Sequence, residues 1–165
     1  MDLLDFSAEA LYYEEAMAPE VAASIQAAAR SYADGGGEDI LLRALAMQPE
    51  SLPVLVALYR FYYYRHRLED AWQVAQKALA VAGGRLNLPR DWRDIGDEQL
   101  GRAAQCSMTL LRFYLLALKA AGYLRLRLGD EDLGVAMLEK LAQLDQQDRL
   151  GAGVLLQVVR QARSA

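Results

Sequence analysis

The residues most able to do chemistry are concentrated at positions 57–71, which read ALYRFYYYRHRLEDA. This stretch holds four tyrosines, one phenylalanine, three arginines and His66, the only histidine of the chain. Such a set could stack nucleic-acid bases on its rings, supply an acid–base group, or pack as one aromatic helix. Since few other residues stand out chemically, this stretch decides which classes of function remain open.

Catalysis finds little support in the sequence. His66 lies between Arg65 and Arg67, a setting that suits a turn residue better than a base or a metal ligand. Cys106, the only cysteine, lies in the apolar segment AAQCSMTLL and is predicted to be a small buried hydrophobe. GxSxG, HExxH, CxxC and Walker patterns are absent, and the glycines at 35–37 lack the lysine of a phosphate loop. We expect no enzyme, no metal and no cofactor.

Composition narrows the partners. The net charge of −4, with Glu69 and Asp70 directly after the aromatic residues, argues against a nucleic-acid binder, which needs a basic surface. No run approaches the roughly 20 apolar residues of a membrane span. The acidic start MDLLDFSAEALYYEEAM lacks the basic and apolar regions of a signal peptide. We therefore expect a cytoplasmic protein with neither a nucleic-acid nor a membrane partner.

Hydrophobic periodicity predicts an all-α fold. Apolar residues recur at i, i+3, i+4 and i+7, and a length of 165 residues suits one domain, 1–165, of about seven or eight helices. The predicted helices cover about 8–17 with Ser7 as N-cap, 19–33, 38–48, 51–65, 68–82, 98–128, 131–144, and a last one from Asp145 or Asp148 to about 162. Gly83 and Gly84 are predicted to end the fifth helix and open an irregular loop at about 83–97.

The alternation of helix, turn and helix resembles the tetratricopeptide repeat (TPR), a unit of about 34 residues. Ala44 and Ala78 are separated by one such repeat length, and a third match starts at Leu118, nearly two repeat lengths after Leu55. The positions that carry the register are Leu55, Leu58, Tyr59, Tyr62, Ala71, Ala75 and Ala78 in one unit and Leu118, Ala121, Gly122, Gly129, Gly134, Leu138 and Leu141 in the next. About one repeat of chain, 83–114, does not conform, so a general helical bundle is the alternative.

The register assigns roles to the aromatic stretch. It places Tyr59 and Tyr62 in the core and His66 in a turn where a TPR usually has glycine. The ligand-facing positions that the TPR resemblance implies are Arg60, Tyr63, Tyr64, Lys119, Tyr123 and Arg127. Because Tyr and Arg are frequent interface anchors, these residues are predicted to bind an acidic or amphipathic protein segment. The alternative is an ordinary solvated helix face.

Trp92 lies in the predicted loop, between alternating charges. It is predicted either to anchor a protein partner or to plug the open end of the repeat stack, and the plug is slightly favoured. Long structureless loops inside compact domains are usually functional or disordered.

Two stretches, MDLLDFSAEALYYEEAM and VLVALYRFYYYRHRLEDAWQVAQKAL, resemble small TPR-like proteins encoded beside nitrogenase genes in nitrogen-fixing bacteria. The resemblance covers about the first half of the chain. It implies a non-enzymatic accessory factor that binds a nitrogenase component, above all the molybdenum–iron protein, during maturation, protection or repair.

Two other readings stay open. The chain also resembles the TPR-like chaperones of type III secretion translocators, which hold an extended client. A small-molecule or cofactor carrier is the third hypothesis, although the single His66 and the single Cys106 lie far apart in the sequence. Either a monomer or a homodimer is compatible with the sequence, because degenerate end units can cover their apolar ends by dimerising.

Overall fold

The computed structural model describes residues 17–164, and within them the chain is all-helical, with eight α-helices and no strand. The predicted helix at about 8–17, with Ser7 as its N-cap, lies outside the described residues except for Met17. The helices are α1 (Pro19–Ser31), α2 (Glu38–Met47), α3 (Leu52–Tyr64), α4 (Leu68–Arg85), α5 (Asp97–Cys106), α6 (Met108–Arg127), α7 (Glu131–Leu144) and α8 (Ala152–Ser164). Among them, no helix is long and apolar enough to span a membrane.

Neighbouring helices pack in pairs, α1 with α2, α3 with α4, and α6 with α7. The second pair joins the third through α4 and α6, while α8 packs on α7. Fully buried leucines and a phenylalanine fill these contacts: Leu55, Leu58, Phe113, Leu118, Leu138 and Leu141. The core is therefore built from the apolar faces that the helical periodicity predicted.

The three pairs turn in the same way. In each, a backbone N–H after the first helix donates to a carbonyl five residues earlier, which is one bond of a Schellman ending. These bonds join Gly36 to Ser31, Arg67 to Tyr62 and Asp130 to Arg125, each at 2.9 Å. The residue before each donor has a left-handed backbone, with φ of 81° at Gly35, 57° at His66 and 86° at Gly129. The prediction that His66 is a turn residue in a glycine position is confirmed.

Helices α6 and α7 approach each other closely at two glycines. A Cβ atom at Gly134 would lie 2.8 Å from the Leu126 side chain and 2.9 Å from the carbonyl oxygen of Gly122. A Cβ at Gly122 would in turn lie 3.2 Å from the carbonyl oxygen of Gly134. The backbones can pack at this distance only because both positions lack a side chain.

The predicted end of α4 at Gly83 and Gly84 is wrong, because the helix continues to Arg85. Gly83 faces the ring of Tyr114, whose Cε2 would lie 3.1 Å from a Cβ at that position. Gly83 therefore lies within α4 and allows the Tyr114 ring to pack closely against this helix. The left-handed residue that ends α4 is Asn87, with φ of 53°.

The single helix predicted at about 98–128 is also wrong, because it is interrupted at Ser107. That residue is extended, with φ of −159° and ψ of 109°, and its Oγ accepts a hydrogen bond of 3.1 Å from the N–H of Leu110. It is the N-cap of α6. Cys106 consequently lies at the end of α5 and is exposed, not buried as predicted.

The last helix begins at Ala152, later than the predicted start at Asp145 or Asp148. Both carboxylates instead organise the preceding turn. Asp145 accepts from the N–H of Leu150 at 2.8 Å, and Asp148 accepts from the N–H of Gly153 at 3.0 Å. Helix α7, with Asp130 as its N-cap, has the predicted bounds.

Candidate functional site

Most of the predicted ligand-facing residues lie along α3 and the facing part of α6. The Tyr63 ring stacks on Tyr59, with ring centroids 6.0 Å apart, and meets the edge of Tyr64 at 5.7 Å. On α6, Arg127 donates a hydrogen bond of 3.1 Å to the Tyr123 hydroxyl. We call Arg60, Tyr63, Tyr64, Tyr123 and Arg127 the α3 surface.

Arg127 of α6 lies near Tyr63 of α3. Hydrogen bonding to Tyr123 and, to a smaller extent, the nearby Tyr63 raises the pKa of its guanidinium. Burial raises the pKa of Tyr59 far above its usual range, and Tyr63, Tyr123 and Tyr64 add to this shift. Tyr63 and Tyr64 of α3 and Tyr123 of α6 are therefore near enough to Tyr59 to affect its ionisation.

Tyr59 and Tyr62 form the buried base of the cluster, which confirms their predicted place in the core. The Tyr62 hydroxyl donates a hydrogen bond of 3.0 Å to Glu38. Arg67 binds Glu38 and Asp70, both at 2.7 Å, and its guanidinium lies 4.6 Å from the centroid of the Tyr62 ring. This network joins α2 to the turn between α3 and α4.

Lys119 does not lie on the α3 surface. It was predicted to face a ligand, but its side chain is only 4 % exposed. Every residue of α6 from Phe113 to Gly122 is buried, so this part of the helix presents no open face. Periodicity could not reveal this, because a helix covered on all sides can still carry one polar residue.

A cavity of about 280 Å³ opens between α1, α2 and α3. Its walls are mainly apolar and aromatic, with Ile25, Tyr32 and Ala57 among them, and Arg60 and Tyr64 of the α3 surface also line it. The Arg60 Nε atom is buried and makes no hydrogen bond within residues 17–164. The cavity is therefore mainly apolar, and Arg60, which lines it, keeps one buried donor without a partner in the described part of the chain.

The cavity also has a rigid edge. Arg65 donates a hydrogen bond of 2.8 Å to the Tyr32 carbonyl oxygen. Its guanidinium lies 4.9 Å from the Tyr32 ring centroid and 4.8 Å from that of Phe61. Because these contacts tie the end of α1 to α3, the cavity wall is preformed.

Trp92 belongs to a different part of the molecule. It begins a short 3₁₀ turn, Trp92–Asp94, and its side chain is half-buried. It lines a cleft of about 590 Å³, which is bordered by α4, α6 and the loop before the turn. It is separate from the cavity at the α3 surface, and the loop packs on the helices. The sequence reasoning missed this cleft, although two adjacent glycines within an alanine-rich helix were a usable signal.

The described residues hold no group of three or more His, Cys, Asp or Glu side chains placed to bind a metal ion. His66 and Cys106 are both exposed, one in the turn after α3 and the other at the end of α5.

Comparison with known proteins places the chain in a family. No protein-family model and no solved structure matches it. It is 52 % identical over 159 residues to a protein of Azotobacter chroococcum mcd 1 described as "uncharacterized 19.8 kDa protein in nifW 5′ region". The match covers 96 % of this chain and 89 % of the relative. The chain therefore belongs to the family of this protein from the nifW 5′ region.

Proposed function

We propose that this protein is a non-enzymatic accessory factor of nitrogen fixation that acts by binding another protein. The position of its relative in a nif gene region supports the nitrogen-fixation role. The succession of helix pairs with matching turns supports a TPR-like interaction module. A nif gene region also favours this proposal over a chaperone for type III secretion.

The observation that carries the proposal is the chemistry of the α3 surface. Tyr64 is 40 % exposed, and it lines the 280 Å³ cavity together with Arg60. Tyr and Arg next to an apolar pocket are typical of interface hot spots. The surface suits a segment that inserts an apolar side chain and offers a carboxylate or carbonyl oxygen to Arg60.

The partner we propose is a nitrogenase component, with the molybdenum–iron protein as the first candidate. An acidic segment of that partner would meet Arg60 and Arg127, the two guanidinium groups of the α3 surface. Association through such a site should weaken with salt, because part of the attraction is between charges.

The test measures binding of the purified molybdenum–iron protein to the immobilised full-length chain. Tyr64→Ala and Arg127→Ala should each weaken binding by about tenfold or more, the size of a hot-spot loss. Arg102→Ala is the matched control, since Arg102 is an exposed arginine on α5 that pairs only with Glu98 among the described residues. Circular dichroism checks that all three variants keep their helicity.

Two results would contradict separate parts of the proposal. If the unmodified chain does not bind the molybdenum–iron protein, that partner is wrong. If it binds and both Tyr64→Ala and Arg127→Ala bind as well as Arg102→Ala, the α3 surface is not the binding site.

A further inference from the structure

The cleft that contains Trp92 has the properties of a small-molecule site. Its volume of about 590 Å³ lies within the range of ligand pockets, roughly 300–1,000 Å³. It is lined by both tryptophans of the chain, Trp72 and Trp92, and by Tyr114, Gly83, Gly84 and Arg90. We call it the tryptophan cleft.

Trp72 is buried beneath the cleft, only 4 % exposed, and Trp92 forms a half-buried wall of it. The guanidinium of Arg125 lies 4.0 Å from the ring centroid of Trp72, and that of Arg93 lies 4.2 Å from Trp92. The loop that carries Trp92 is tied to α7, because Lys140 donates a hydrogen bond of 2.9 Å to the Arg93 carbonyl oxygen. Ile95, only 1 % exposed, anchors the end of this loop. The walls are therefore preformed.

The α4 side of the cleft is bare backbone at Gly84. A Cβ atom there would have no heavy atom within 4 Å, so close packing does not explain the glycine. Glycine inside a helix is less stable than alanine, which makes its presence here notable. The exposed backbone at Gly84 leaves this side of the cleft open.

Tyr114 supplies a hydrogen-bond donor to the cleft. Its side chain is only 3 % exposed, and its hydroxyl makes no hydrogen bond within residues 17–164. Burial and, to a smaller extent, the charge of Asp91 raise the pKa of this hydroxyl to about 12. It therefore remains protonated near neutral pH and can donate to an acceptor on a ligand.

The rim adds a positive charge. Arg90 lines the cleft and is exposed, and it makes no ion pair within the described part of the chain. Arg93, by contrast, pairs with Asp91 at 3.3 Å. A cation without a partner beside two indole rings favours a ligand that carries a negative charge.

We propose that the tryptophan cleft binds a planar aromatic anion, which packs against Trp92 and accepts a hydrogen bond from Tyr114. The cleft is separate from the α3 surface, so this inference does not depend on the proposed protein partner. It gives the protein a second, ligand-binding function.

The probe is 8-anilinonaphthalene-1-sulfonate, an aromatic anion whose fluorescence rises in apolar sites. Because Trp72 and Trp92 are the only tryptophans and both line the cleft, quenching of tryptophan emission shows that the probe lies within energy-transfer distance of the cleft, and variants of the cleft then locate its site. We expect binding of one probe per chain, with quenching that saturates together with probe fluorescence.

The decisive variant is Gly84→Leu, which adds a large side chain to the lining of the cleft at a position with no close neighbours. Gly101→Leu on α5 is the matched control, because a side chain there also meets nothing within 4 Å. We expect Gly84→Leu to weaken probe binding by about tenfold or more and Gly101→Leu to leave it within about twofold. Tyr114→Phe keeps the ring and removes the donor, so it should weaken binding by about fivefold.

The proposal is overturned if the folded chain does not bind the probe, or binds it without quenching tryptophan emission. It is also overturned if Gly84→Leu and Gly101→Leu bind equally well. Should Gly84→Leu lose its helicity, Tyr114→Phe decides, and unchanged binding of the probe by that variant refutes the proposed site. Tyr64→Ala should not alter probe binding, which separates this test from that of the α3 surface.

Discussion

The contact between α6 and α7 at Gly122 and Gly134 allows a sharp test of the fold. We consider Gly134→Ala, a change that adds one methyl group to the fourth residue of α7. That methyl would lie 2.8 Å from Leu126 and 2.9 Å from the carbonyl oxygen of Gly122. The Leu126 side chain can rotate, but the carbonyl oxygen belongs to a helix backbone and moves only with α6.

Two opposing effects set the magnitude. Replacing glycine by alanine in a helix stabilises by about 0.5–1 kcal/mol. Overpacking of a filled interface costs about 1–3 kcal/mol, and a clash with backbone belongs to the upper part of that range. We therefore expect Gly134→Ala to lower the free energy of unfolding by about 1–2 kcal/mol.

Gly101→Ala provides the matched control, because Gly101 is the fifth residue of α5 and a Cβ there meets nothing within 4 Å. This variant should gain about 0.5–1 kcal/mol. The two variants should then differ by about 2–3 kcal/mol, or about 5–10 °C in Tm for a chain of this size. Urea denaturation followed by circular dichroism measures both. If Gly134→Ala is as stable as Gly101→Ala, the helices do not pack as described.

Two further predictions concern the network around Tyr62. Tyr62→Ala should lower the free energy of unfolding by about 3–5 kcal/mol, because it empties a core position. Tyr62→Phe should lower it by only about 1 kcal/mol, because it removes just the hydrogen bond to Glu38. Equal losses of the two variants in urea denaturation would contradict the buried position of the ring. The hydrogen bond from Arg67 lowers the pKa of Glu38 below its ordinary value of 4.5. The ionised carboxylate therefore stabilises the folded protein fully above pH 4.5, and this stabilisation is lost as the pH falls through the lowered pKa. Wild type should therefore lose more stability than Glu38→Gln between about pH 5 and pH 3, and parallel curves of unfolding free energy against pH would refute this role.

Local sequence signals were sufficient where a helix end depends on neighbouring residues. The predicted helix starts at 131 and 19 are correct, because the Asp130 cap and Pro19 act within a few residues of them. The turn at His66, which the repeat register predicted, is equally local. The spacing of Ala44 and Ala78 likewise marked two buried positions, because both alanines face the core of their helix pairs.

Local sequence signals failed where the role or the burial of a residue depends on a residue far away in the sequence. Gly83 looked like a helix terminator, yet its role comes from the ring of Tyr114, which belongs to a different helix, α6. Lys119 looked like a surface cation, yet α6 is buried on all sides at that point. Neither the contact of Gly83 with Tyr114 nor the burial of Lys119 can be inferred from the residues within one turn of the same helix.

The sequence by itself determined the helical class, the turn chemistry and the tyrosine-rich helix, because these follow from the 3.6-residue period and from the backbone preferences of Gly, Pro, Ser and Asp. Only the tertiary structure decided which polar residues face open space. It joined α3 with α6 to form the α3 surface, buried Lys119, and created the tryptophan cleft between α4 and a loop that looked structureless. The physical reason is that burial depends on which helices are neighbours, and that is set by packing over the whole chain.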